Sequence, residues 1–169
     1  MADTRTSPSR TRSALLPPRW VVVLAWRAHR VVLRASKGHL GLWKPKPGRW
    51  GTLRLTTIGR RSGERRQAVL GYLDVDDDLV TMAMNGWGAA EPGWWLNLQA
   101  RPDAMVLTRD GALPVHARRA EGEERERLWA RWAALEKGLD EYAALRPHET
   151  DVVVLEPRGP AKHAWQQAA

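Results

Sequence analysis

The segment Thr52-Leu53-Arg54-Leu55-Thr56-Thr57-Ile58, running into Gly59-Arg60-Arg61-Ser62-Gly63-Glu64-Arg65-Arg66, is the most informative in the chain. Its β-branched residues predict a strand. Two glycines bracket the turn that follows, and four arginines occupy the seven positions from Arg60 to Arg66. Glycine admits positive φ, so neighbouring amides can converge on an anion. Guanidinium forks match phosphate and carboxylate oxygens two at a time. A strand, a turn and a second strand that together grip a polyanion follow from these residues.

The surrounding charge is regional. Of 27 Lys and Arg, 16 lie within residues 1–66 against two acids, Asp3 and Glu64, a net +14. The remainder has 11 basic and 17 acidic groups, a net −6, and the whole chain of 169 residues carries +8 with a pI near 10.7. A chain of this length can bury one substantial core. It has no cysteine, which removes disulfides, thiolate nucleophiles and zinc ribbons and suits a cytoplasmic setting. Ten Trp with no Phe offer broad flat faces for a planar ligand or, more blandly, ordinary core packing.

Residues 1–16 read as a disordered basic arm. Pro17-Pro18 opens an amphipathic helix over 17–36, in which Arg27, Arg30 and Arg34 recur at helical spacing. This helix is read equally well as docked on its own domain or lying on an anionic membrane. Its apolar run is too short to span a bilayer and lacks a cleavage pattern. A domain over 37–157 follows, with 158–169 as a tail. Its strands are expected at Gly51–Ile58, Gln67–Leu73, Leu79–Met84, Ala104–Thr108, Leu113–Arg118 and Val152–Leu155. Asp74–Asp78 and Asp110-Gly111 mark tight turns. Helices are expected at Gly93–Gln99 and Glu121–Ala134. Six strands without long crossovers predict an α+β fold built on an antiparallel barrel.

The residues exclude several chemistries. Ser62 lies in no nucleophile elbow, the five histidines show no ligand spacing, and the glycine turn lacks a Gly-Lys-Ser/Thr ending. No metal site is expected. An enzyme of this composition depends on a bound cofactor, with the arginine turn as tail clamp and Met84-Asn85-Gly86-Trp87 as ring shelf. Nucleic-acid binding rests on net charge alone and ranks last.

Four ordered blocks carry a resemblance: Leu55–Gly63, Ala83–Gly86, Trp94–Leu98 with Arg101-Pro102, and Val152–Pro157. Together they are similar to the deazaflavin-dependent nitroreductase family, split β-barrel oxidoreductases that use coenzyme F420. The resemblance implies an FMN/deazaflavin-type split barrel. Arg60, Arg61, Ser62 and Arg66 would hold the phosphate and oligoglutamate tail. Met82, Met84, Asn85 and Gly86 would line the ring, and Gly93, Trp94 and Asn97 would close the pocket. Trp87 and Tyr142 would shape the acceptor side. No residue is singled out as catalytic.

The chain departs from the family pattern in having Met84-Asn85 where Ser-Lys is usual. It also has Glu136 and Leu139 in two places where the family carries tyrosines. The implied activity is hydride transfer from reduced F420 to an enone, quinone or nitro compound, with FMN the less favoured cofactor. The alternative is a membrane-associated carrier of an apolar ligand. A homodimer and a peripheral membrane location stay open at this stage.

Overall fold

In the computed structural model the described residues are 41–86 and 88–159. Trp87, the basic arm, the helix expected over 17–36 and most of the tail lie outside them. The elements run β1 (Gly51–Ile58), β2 (Arg65–Val75), β3 (Asp78–Met82), α1 (Gly93–Ala100), β4 (Asp103–Thr108), β5 (Gly111–Arg119), α2 (Gly122–Ala133), α3 (Leu139–Ala143) and β6 (Val152–Pro157). The strands close a barrel in the order β1-β2-β3-β6-β5-β4, and every neighbouring pair is antiparallel.

Side chains alternate across each strand, so the barrel has two distinct cores. Leu53 and Leu55 of β1, Leu70 and Tyr72 of β2, Val106 of β4, Val115 of β5 and Val153 and Leu155 of β6 fill its interior. On the outer face of β2, β3 and β6, Leu73, Val75, Val80, Met82, Val152 and Val154 pack beneath Leu128 and Trp132 of α2 and Leu139 of α3. Strands covered on both faces need apolar residues at every position. That is why β6 reads Val-Val-Val-Leu without alternation. The helix α2 buries Leu128 and Trp132, four residues apart, and turns its charged face to solvent. Gly138, at φ 85°, separates it from α3.

Most boundaries shift by one or two residues from the sequence expectation, and two of the shifts bear on the site. The second strand is 11 residues long and begins at Arg65, not Gln67, because Ile58 pairs with Arg65 and Thr57 with Arg66. The third strand stops at Met82, where the Met84 N–H turns back to the Met82 carbonyl at 2.9 Å. Asp76, at φ 55°, forms the β2–β3 hairpin tip; Asp is among the few residues that tolerate this conformation.

Candidate cofactor site at the barrel mouth

The arginine turn is closed by its own backbone. Gly59 N–H donates to the Glu64 carbonyl at 2.8 Å, and Gly63 N–H donates to the Gly59 carbonyl at 2.8 Å. Gly63 sits at φ 70°. At position 59 a Cβ would lie 2.8 Å from Ser62 Oγ and 3.5 Å from Arg66 Cγ, so the glycine lets these two side chains close over the turn. Arg66 Nη2 donates to Ser62 Oγ at 3.3 Å and pairs with Glu64 Oε2 at 2.8 Å. Arg60 and Arg61 are exposed.

Register separates the last two arginines. Arg66 is paired with Thr57, whose buried side chain belongs to the inward-facing set, whereas Arg65 is paired with Ile58 on the other face. Arg66 therefore stands over the barrel mouth and Arg65 points away from it.

The helix α1 is fastened across this mouth by three contacts. Asn97, buried, accepts from the Arg60 backbone N–H through Oδ1 at 3.1 Å and donates from Nδ2 to Thr57 Oγ1 at 3.1 Å. Trp95 Nε1 donates to Asp151 Oδ2 at 2.7 Å, the same oxygen that Arg119 Nη2 approaches at 2.8 Å. The helix starts after Pro92 with no side-chain cap, so its first amides keep their capacity to bind an anion. A Cβ on Gly93 would meet nothing within 4 Å, so the described residues leave open space beside that terminus. Cations, uncapped amides and a glycine cradle at one mouth are the donor set an extended polyanion requires.

The residues expected to line a ring occupy different surroundings. Asn85 and Gly86 are exposed, Gly86 at φ 54°, and Trp94 is half-buried against the inner core. Met82 differs. Its side chain is 2% exposed and packs in the outer core under α2, since it shares parity with Val80. Only its backbone can line a pocket. Met84, half-buried, also packs against that outer core. Asn97 acts through the turn it braces, its polar atoms already engaged by Thr57 and Arg60. Tyr142 is half-buried on α3, with ring carbons within 3.5 Å of a Cβ built on Gly138. Leu139 is buried in the outer core and forms no pocket wall.

Residues absent from the sequence reading complete the frame. Arg146, with its side chain fully buried, donates to the Ala83 carbonyl at 2.8 Å, to Thr150 Oγ1 at 2.7 Å and to Glu91 Oε1 at 3.0 Å. His148 Nε2 shares that Glu91 oxygen. No local pattern marks these residues, because Arg146 lies 63 positions from Ala83 and 55 from Glu91. The roles of Asp151 and Thr57 as hydrogen-bond partners of α1 were equally invisible. By contrast, Tyr72 is a packing residue. Burial, then the carboxylates of Asp74 and Asp110, push its phenol pKa up, so it stays neutral. A cleft lined by Pro45, Arg49, Leu73, Val75, Arg131 and Leu135 shares no residue with the barrel mouth.

Residues 25–157 match the family model described as F420H(2)-dependent quinone reductase. The chain belongs to this family. Its reductant, reduced coenzyme F420, is the cofactor the sequence resemblance implied, and the chain is a reductase of that class. A Mycobacterium tuberculosis protein, Rv3178, provisionally named an F420H(2)-dependent quinone reductase, is 30% identical over 118 residues, spanning 70% of this chain and 96% of that one. A solved F420-H2 dependent reductase, FDR-A, is 29% identical with a TM-score of 0.56, covering 62% of this chain and 93% of its own. A chain solved as a domain-swapped dimer is 25% identical with a TM-score of 0.60, covering 80% and 98%. The split-barrel expectation agrees with these relatives. None of them speaks for a membrane-associated carrier, and among the described residues no helix is long and apolar enough to cross a membrane.

Proposed function

We propose that the barrel mouth binds reduced coenzyme F420 and that the chain reduces a quinone. Enones and nitro compounds are further members of the same electron-poor class. The observation that carries this reading is the Asn97 brace, which ties the arginine turn to α1 and so joins the tail grip to the wall of the ring pocket.

Arg60, Arg61, Ser62 and Arg66 bind the tail phosphate and glutamates. The uncapped first turn of α1 adds amide donors to the same anion. Asn85 and Gly86 form the ring edge, the backbone at Met82 and Met84 its floor, and Trp94 closes it. When bound, the reduced deazaflavin supplies a hydride from C5. The chain contributes orientation and exclusion of water at the acceptor. Trp87 and Tyr142 are assigned to the acceptor side, with Tyr142 or water as the proton source. A planar apolar quinone suits a site with tryptophans, whose broad flat faces can stack on it. A second copy of the chain is the proposed macromolecular partner, supported by the relative solved as a domain-swapped dimer.

Fluorescence titration of the full chain with reduced F420 and with reduced FMN tests the cofactor assignment. Tight F420 binding with weak FMN binding is expected, followed by turnover with a soluble quinone. Micromolar FMN binding without F420 binding overturns it.

A further inference from the structure

The segment 83–91 carries the proposed ring shelf, and both of its ends meet one side chain. At the first end, Ala83 is fully buried, its N–H donating to the Asp151 carbonyl at 2.8 Å and its own carbonyl accepting from Arg146 Nη1 at 2.8 Å. At the other end, Glu91 Oε1 takes Arg146 Nη2 at 3.0 Å. The guanidinium is fully buried, and Thr150 Oγ1 at 2.7 Å fixes its orientation. Arg146 Nε and Glu91 Oε2 have no partner among the described residues. A guanidinium taken out of water is costly unless paired and hydrogen-bonded. Here its partners are the two ends of one loop, with Thr150 Oγ1 and His148 Nε2, 2.9 Å from Nη2, completing the set. A lysine has no planar fork and cannot span both ends with the same geometry.

We infer that Arg146 is a positioning residue that sets the shape of the deazaflavin ring shelf, by clamping the start of the 83–91 loop through the Ala83 carbonyl and its end through Glu91. This rests on the F420 reading of the site. The clamp acts on the ring and the arginine turn acts on the tail. The two are separable with ligands that differ only in the tail.

The test uses the full chain and two probes, reduced F420 and the same deazaflavin without phosphate and glutamates, titrated by fluorescence, with thermal unfolding recorded for each variant. Arg146→Met is expected to weaken both probes by a similar factor of about ten or more, corresponding to at least ~1.4 kcal/mol. Arg146→Lys should fall between Arg146→Met and wild type. The double variant Arg60→Gln/Arg61→Gln should weaken F420 and leave the tail-less probe within about twofold, a free-energy change under ~0.5 kcal/mol. If Arg146→Met does not fold, Arg146→Lys and Glu91→Gln carry the same comparison. A folded Arg146 variant that binds the tail-less probe as tightly as wild type overturns the clamp while leaving the cofactor reading intact. A wild-type chain that binds neither probe overturns the cofactor reading itself.

Discussion

Asn97 accepts the backbone N–H of Arg60 at 3.1 Å across 37 positions of sequence, and its amide nitrogen donates to the buried Thr57 hydroxyl. One side chain thereby couples the arginine turn, the proposed tail grip, to the helix that lies across the mouth. Replacing Asn97 by Leu strands the buried Thr57 hydroxyl and removes the partner of the part-buried Arg60 N–H. The expected loss is about 1–3 kcal/mol of stability, with weaker F420 binding. Urea denaturation and fluorescence titration of the same variant measure both. Unchanged F420 affinity in a destabilised variant would show that the brace serves the fold alone.

Arg65 and Arg66 are adjacent in sequence but lie on opposite faces of β2, and this predicts unequal roles. Arg66→Gln should weaken F420 several-fold, and the loss should shrink as salt screens the charge. Arg65→Gln should change affinity little. Titrations at low and at high salt decide the matter, and equal effects from the two variants would refute the assignment by register.

Gly51 opens β1 beneath the ring of Tyr72. A Cβ there would lie 2.5 Å from Pro45 Cδ, 2.7 Å from the Pro45 nitrogen and 2.7 Å from Tyr72 Cε1. The proline ring and backbone leave little room to yield. Gly51→Ala is expected to destabilise the barrel by about 1–3 kcal/mol or more, read as a lowered midpoint of thermal unfolding.

Arg118 Nη1 and Nη2 meet the two oxygens of Glu124 at 2.6 and 2.8 Å, tying β5 to α2, and its Nε meets Glu156 on β6 at 2.6 Å. The hydrogen bonds from Arg118 hold the Glu124 carboxyl below its ordinary range. A depressed folded-state pKa contributes stability above the unfolded value, and this is lost as pH falls through the folded one. Thermal midpoints followed from pH 7 into the acid range should therefore drop less steeply for Glu124→Gln than for wild type. Parallel curves would remove this pair from the acid response.

Much of the barrel was legible because its signals are local. Strand runs, the Asp74–Asp78 and Asp110-Gly111 turns and the leucine and tryptophan spacing of α2 each occupy a dozen residues or fewer, within reach of periodicity and turn chemistry. The arginine turn was visible for the same reason. What escaped was parity and distance. Met82 looked like a pocket residue until its alternation with Val80 placed it under α2.

The sequence by itself determined a strand-rich chain with an arginine-rich turn flanked by glycines, since backbone propensity and clustered guanidinium groups act over a few residues. Only the tertiary structure decided which arginine faces the mouth, which helix closes it and which buried cation spans the ends of its loop. Those depend on strand register and on hydrogen bonds linking residues 37 to 63 positions apart. Local sequence patterns carry no such information, because groups that distant meet only when the barrel has closed.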